Sequence, residues 1–183
     1  MSFFRKISIR LLIVSLFILG CVSTACSATE PSITINQSDE VAIYSAVIRQ
    51  LYIGEITYSG SQPPALYTIR YTDDTYGNPR VKASEPVFIS ETMQSEITTA
   101  LQDLPTEIVW VNSSDEVAKD SWGTVSNGGA IIILGNIHLQ GDDSVQILGS
   151  YYMAGDGGGG RMYILEYIDG NFVVTQTQFI WQS

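Results

Sequence analysis

The chain has only two cysteines, Cys21 and Cys26, and both lie close to its N-terminus. The sequence from about residue 32 onward contains no thiol, which excludes disulfide bonds and zinc sites built from cysteine there. A domain in this region must therefore be stabilised by its hydrophobic core alone. The roughly 150 residues after the N-terminal segment are enough for one such domain.

Positive charge is also scarce, because nine Lys and Arg stand against 19 Asp and Glu, for a net charge of −10. Three of the basic residues precede residue 20, so the rest of the chain has six basic and 19 acidic residues and a net charge of −13. Nucleic-acid binding depends on Lys and Arg, so this balance argues against a nucleic-acid partner. It also disfavours adsorption of the domain itself to anionic lipid.

The N-terminal apolar run, residues 11–19, is about nine residues long, whereas a membrane-spanning helix needs roughly 20. Arg5, Lys6 and Arg10 precede it, and a basic segment followed by a short apolar run predicts a bacterial secretion signal. The segment Ile18-Leu19-Gly20-Cys21 resembles the lipobox of bacterial lipoproteins, which implies lipid modification of Cys21.

This pattern predicts a signal peptide over 1–20, a tether over 21–38 and a single domain over 39–183. The alternative is ordinary cleavage after residue 27 or 28, which would release a secreted protein. Either alternative places the domain outside the cytoplasm, held at the cell membrane by a lipid anchor on Cys21 or free.

The order of elements predicts an α+β fold. Apolar residues at helical spacing predict helices over 39–52, capped by Ser38, and 91–104, opened by Ser90. We expect an antiparallel sheet of about five or six strands with both helices packed on one face. The strands are predicted at 66–71, 108–111, 130–139, 145–153, 161–167 and 172–181. The stretch 66–111 is a candidate parallel crossover, and Asp169-Gly170 a tight hairpin turn.

A glycine-rich segment at 155–160 formally contains the pattern GxGxxG. A dinucleotide-binding loop must follow a strand and open a helix, because the helix N-terminus binds the phosphate. This segment instead precedes a predicted strand, so we interpret it as a flexible connection. No cofactor is predicted.

Two kinds of polar residue are candidates for a metal or catalytic site. Asp73 and Asp74 supply oxygen ligands suited to calcium, but the EF-hand spacing is absent, which favours a solvated turn. His138 is the only histidine, and it is a candidate general base if a carboxylate orients it and a nucleophile lies nearby. An ordinary strand position is the simpler interpretation of His138, and neither HExxH nor GxSxG occurs.

Aromatic residues give the best indication of a binding function, since the chain contains ten tyrosines and three tryptophans. Several lie on the terminal strands, among them Tyr151, Tyr163 and Trp181. Strand alternation divides such residues between two faces, so one set is expected in the core. The other set could form an exposed surface for a protein or glycan ligand.

Several segments resemble a group of uncharacterised exported bacterial proteins, some of them lipoproteins. They are DEVAIYSAVIRQLY at 39–52, EIVWVNSSDEV at 107–117, GGAIIILGNIHL at 128–139 and RMYILEYIDGNFVV at 161–174. The final hairpin is also similar to the last strands of NTF2-like (cystatin-like) α+β folds, although Phe172 replaces the usual Trp of the turn motif. Neither resemblance assigns an activity or a site residue.

The sequence therefore predicts a non-catalytic, surface-tethered binding or accessory domain. One alternative is an extracytoplasmic hydrolase that uses His138 or a pair of carboxylates. A second alternative is a calcium-binding exported domain.

Overall fold

A computed structural model describes residues 33–56, 61–75 and 84–183. The predicted signal peptide, Cys21 and most of the predicted tether lie outside these residues. Neither of the two helices in the described part combines the length and apolar character needed to cross a bilayer. The elements in chain order are α1 (Gln37–Gly54), β1 (Ala65–Ile69), α2 (Glu91–Ala100), β2 (Glu107–Val111), β3 (Ala130–Leu134), β4 (His138–Leu139), β5 (Val145–Ala154), β6 (Gly157–Ile168) and β7 (Asn171–Gln182).

Helix α1 begins earlier than its apolar spacing predicts because Asn36, rather than Ser38, is its N-cap. The Asn36 Oδ1 accepts hydrogen bonds from the backbone N–H of Ser38 and Asp39, at 2.8 and 3.2 Å. The Asp39 carboxylate in turn accepts the Asn36 N–H at 3.0 Å, which completes a capping box. At α2 the predicted cap is confirmed, since the Ser90 hydroxyl oxygen accepts the Met93 N–H.

The seven strands form one mixed sheet in the order β2-β1-β3-β5-β6-β7, with β4 paired to β5. Strands β2, β1 and β3 are parallel, and the remaining pairs are antiparallel. The expected α+β class is confirmed, as are the parallel pairing of β1 with β2 and the antiparallel hairpin β6–β7. The predicted single strand 130–139 is wrong, because residues 135–137 separate β3 from β4.

Both helices pack on one face of the sheet, where the main core lies. From α1 and α2 it includes Val47, Leu51 and Ile97, and the sheet contributes Ile132 and Tyr163. On the opposite face, the segment 112–129 packs a smaller core over the parallel strands, made of Ile69, Val111, Val117, Val125 and Ile131. The antiparallel strands on that opposite face retain exposed apolar side chains, including Ile168 and Val173. Among the described residues, one face is therefore covered by helices, and the other is covered only in part.

The glycine-rich segment is mostly a strand, so its interpretation as a flexible connection is wrong. Only residues 155–156 turn, and β6 already begins at Gly157. A Cβ on Gly159 would lie 3.0 Å from a ring carbon of Tyr151, and one on Gly160 would overlap the Trp181 indole. Neighbouring residues of a strand point to opposite faces, so these glycines make room for an aromatic ring on each face.

Candidate functional site

A groove opens on the partly covered face, between the segment 112–129 and the C-terminal strands. Its volume is about 240 Å³ and its wall is largely apolar. A mainly apolar cavity with a few polar groups is the usual form of a small-molecule site. We call it the Trp181 groove; it is lined by Ser114, Lys119, Ile131, Ile133, Ser150, Tyr151, Tyr152 and Trp181.

Strand alternation explains how the sequence builds this groove. On β3, Ile132 and Leu134 belong to the helix-side core, so Ile131 and Ile133 face the groove. Trp181 lies opposite Gly160 on β6, and the missing side chain lets the indole lie against the sheet. The glycine run and the terminal tryptophan therefore act together to form one wall.

A hydrogen-bonded loop follows Lys119 of the groove and carries an exposed tryptophan. The Asp120 Oδ1 accepts the backbone N–H groups of Thr124 and Trp122, at 2.9 and 2.8 Å. These two donors hold the pKa of the Asp120 carboxyl below its usual range, and the Thr124 N–H has the larger effect. The Tyr152 hydroxyl donates to the Gly123 carbonyl at 2.8 Å and fastens the loop to β5. Trp122 is nonetheless 85% exposed.

Such an exposed indole is informative because contact between its large apolar surface and water is unfavourable. Large apolar side chains exposed on soluble proteins mark interaction surfaces when they cluster. Trp and Tyr are also the residues that contribute most to binding at interfaces. Tyr152 and Trp181 line the groove, and Trp122 is exposed on the loop to which the Tyr152 hydroxyl donates.

Lys119 adds a positive charge to the rim of the groove. Its ammonium donates to the Ser114 carbonyl at 2.9 Å and lies 5.7 Å from the centre of the Tyr152 ring. By contrast, Arg49 is paired with Asp103 and Arg161 with Glu55, both at 2.7 Å. Among the residues that the structure describes, Lys119 makes no ion pair, so its charge is available to an anion.

A second polar site lies where β1 and β3 end. The chain leaves β1 towards β2 on one side and leaves β3 towards β5 on the other, so these neighbouring parallel strands diverge at their carboxyl ends. Ligand sites of parallel sheets form at such switch points. Here the structure brings together Thr72 and Asp74, which follow β1, and Asn136 and His138, which follow β3.

Asp74 is the centre of this site and is only 5% exposed. Its Oδ1 accepts the Asn136 N–H at 2.8 Å, and its Oδ2 accepts the Asn136 side-chain amide at 3.1 Å. The His138 Nε2 lies 3.2 Å from the same Oδ2, while the imidazole is about half exposed. We call this pair the Asp74–His138 dyad.

The two predicted metal ligands have separate partners. Asp73 accepts the N–H and hydroxyl of Thr75, at 2.7 and 2.6 Å, and so closes its own turn. Asp74 faces Asn136 and His138 instead. Within the described ranges, no group of three or more His, Cys, Asp or Glu is placed to hold a metal ion.

The aromatic candidates divide between the faces as strand alternation requires. Tyr151 and Tyr163 belong to the core beneath the helices, where burial raises the pKa of both phenols, and Tyr151 also contributes to the lining of the groove. Trp181 lies on the other face, in the groove. Sequence reasoning missed Tyr152, Lys119 and Trp122 as site residues. The adjacent pair Tyr151-Tyr152 was a usable signal, since alternation places one of them opposite the core.

No protein-family model matches the chain, and neither a curated protein nor a solved structure matches it significantly. The two resemblances described above therefore stay predictions.

Proposed function

We propose that the chain is an extracytoplasmic binding domain for a small anionic molecule with a flat apolar body. The Trp181 groove is the observation that carries this proposal. Its wall is apolar and its volume is about 240 Å³, close to the lower end of ordinary ligand sites. Such a wall favours an apolar or aromatic ligand over a glycan, which would require more hydrogen-bonding groups.

The preference for an anion follows from Lys119. The protein is strongly acidic, with a net charge of −10, so an anion is repelled from most of its surface. Lys119 places at the rim an ammonium that pairs with no carboxylate of the described residues, next to the Tyr152 ring. A ligand whose acidic group contacts Lys119 could lay its apolar part against Ile133 and Trp181.

The hydrogen-bonded loop after Lys119 supports the same function. Its hydrogen bonds to Asp120 and Tyr152 hold the backbone of Trp122 and Gly123 in place before any ligand binds, and a site that is already ordered loses less entropy on binding.

The binding test uses 8-anilinonaphthalene-1-sulfonate, a flat aromatic anion whose fluorescence rises in apolar surroundings. We expect saturable binding to the purified protein. Lys119→Gln should weaken binding about five-fold, the effect of losing roughly 1 kcal/mol of charge interaction. Trp181→Leu should weaken it by more than tenfold, because it removes a wall of the groove. Fluorescence titration at fixed salt measures both effects.

Arg49→Gln is the matched control, because it removes one positive charge that is already paired with Asp103. It should leave the dye affinity unchanged. Near-ultraviolet circular dichroism of each variant establishes that it remains folded. Equal affinity of wild type, Lys119→Gln and Trp181→Leu would overturn the assignment of the groove.

Export and anchoring rest on residues 1–21 and are tested separately. We expect bacterial cells that express the full chain to attach radiolabelled palmitate to it. The Cys21→Ser variant should lose the label completely, because the lipobox cysteine supplies the thiol that is modified. Cys26→Ser is the matched control and should stay labelled. Label that survives Cys21→Ser would contradict the anchor.

A further inference from the structure

The Asp74–His138 dyad is not needed to explain the proposed binding function. Along β5, Gln146 faces His138 in register, and Ser150 of the Trp181 groove lies four residues further on. At roughly 3.3 Å per residue, His138 is about 13 Å from that serine. The dyad therefore forms a separate site on the same face, and Ser150 is too distant to be its nucleophile.

Hydrogen bonds determine the position of each proton in the dyad. The Val87 N–H donates to the Thr72 hydroxyl oxygen at 2.7 Å, and the Thr72 hydroxyl donates to the Asn136 Oδ1. The Asn136 amide must then direct its Nδ2 towards Asp74 and the Glu85 carbonyl. Asp74 accepts every hydrogen bond that Asn136 makes to it, so it is also the acceptor for His138.

This arrangement assigns the tautomer of the imidazole. The His138 Nε2 carries the proton that Asp74 accepts, at 3.2 Å, and the Nδ1 keeps its lone pair. Within the described ranges, that Nδ1 makes no hydrogen bond. A carboxylate that orients a histidine and stabilises its protonated form is the arrangement by which histidine acts as a general base.

The His138 imidazole is about half exposed, so a small substrate can reach it from solvent. A polar cavity opens beside it, although neither Asp74 nor His138 is among the residues that line that cavity. Gln146 lies directly opposite His138 on the neighbouring strand, so their Cβ atoms are within about 5.5 Å of each other. Gln146 also lines the polar cavity. The cavity has a volume of about 420 Å³. Its other walls are formed by Gln140, Gly141, Asp142, Ser144, Ile164, Glu166 and Gln176.

From this geometry we infer that the Asp74–His138 dyad is an acid–base site that hydrolyses small acyl esters with water as the nucleophile. The water oxygen attacks the acyl carbon while the His138 Nδ1 takes one water proton. The bond from the acyl carbon to the alcohol oxygen breaks, and the leaving alkoxide takes the proton back from Nδ1. The products are one carboxylic acid and one alcohol. His138 is the catalytic residue, and Asp74 is a positioning residue.

The test measures hydrolysis of p-nitrophenyl acetate by the purified protein. Wild type should exceed an equal concentration of free imidazole at least tenfold, because a positioned general base is more effective than a diffusing one. His138→Gln should reduce the rate to that of buffer, and Asp74→Asn should reduce it at least tenfold. Arg49→Gln, on the helix side, is the control and should keep the wild-type rate.

A second readout separates catalysis from a merely structural role. His138 is the only histidine, so nitrogen NMR reports its tautomer without ambiguity. Wild type should have the Nε2-protonated neutral form, and Asp74→Asn should lose that preference. Equal hydrolysis by wild type and His138→Gln, or an Nδ1-protonated wild type, would overturn the inference. Dye binding and ester hydrolysis are independent measurements, so either proposal can fail without the other.

Discussion

Gly149→Val is expected to lower the free energy of unfolding by about 3 kcal/mol, the upper end of the usual effect of overpacking a core. A Cβ at this position would lie 2.9 Å from a ring carbon of Tyr163 and 3.0 Å from a methyl carbon of Val47. Leu51 would be only 3.2 Å away. All three side chains are fully buried, so α1 would have to move away from β5. Urea unfolding followed by circular dichroism measures the change.

Gly155→Val is the matched control for this substitution. Gly155 lies in the turn between β5 and β6, and a Cβ there would approach only the Trp122 carbonyl, at 3.6 Å. We expect a change within about 0.5 kcal/mol, as for ordinary surface positions. A loss below about 1 kcal/mol in Gly149→Val would show that α1 does not pack against β5 as closely as described here.

Close contacts of this kind separate what the sequence could predict from what it could not. Local patterns were sufficient for the presence of both helices and for the turn at Asp169-Gly170, because apolar spacing and turn chemistry act between neighbouring residues. They did not give the cap of α1, which is Asn36, or the end of α2, which is Ala100 rather than residue 104. Asp169 and Gly170 do adopt positive φ values, 51° and 84°, as the tight hairpin requires. Helix α2 likewise begins after its predicted cap, Ser90.

The glycine run at 155–160 was predicted wrongly, because contacts between residues distant in sequence explain its glycines. Gly159 and Gly160 are explained by Tyr151 and Trp181, which reach them only once the strands have paired. From the sequence alone, consecutive glycines indicate a flexible connection. Their real role is to accommodate aromatic rings.

Both residues of the dyad could be identified as candidates from the sequence, but their proximity could not. His138 and Asp74 were both named, one as a base and one as a calcium ligand, but 64 residues separate them. Only the adjacent parallel strands β1 and β3 bring their following loops together. Asn136, which links the two loops through Asp74, had no sequence signal at all.

The two sites share one physical basis, which is the incomplete cover of the second sheet face. The segment 112–129 packs over the parallel strands and creates the groove at its margin. Beyond the part of the sheet that this segment covers, Asp74 lies over Gly135 and faces His138. An apolar site and an acid–base site therefore occupy neighbouring positions on the face that the helices leave free.

Gly135→Ala should disrupt the dyad while leaving every charged residue in place. A Cβ at Gly135 would lie 2.6 Å from the Asp74 Oδ1 and 2.9 Å from the Leu148 Cβ. The Leu148 backbone nitrogen would be 3.2 Å away, and the Gly135 N–H is bonded to the Leu148 carbonyl, so the strand cannot easily yield. The Asp74 carboxylate must therefore move and give up its bond from the Asn136 N–H.

We expect two consequences of Gly135→Ala. The free energy of unfolding should fall by about 2 kcal/mol or more, because a buried carboxylate loses donors and the site is overfilled. Ester hydrolysis should fall to the level of Asp74→Asn, and the His138 NMR signals should change in the same way. Gly157→Ala is the control, since its Cβ would make only ordinary contacts, the nearest 3.4 Å from the Ala154 nitrogen. If Gly135→Ala kept the wild-type NMR signals of His138, the carboxylate would not be held over Gly135, and the geometric basis of the dyad would be lost.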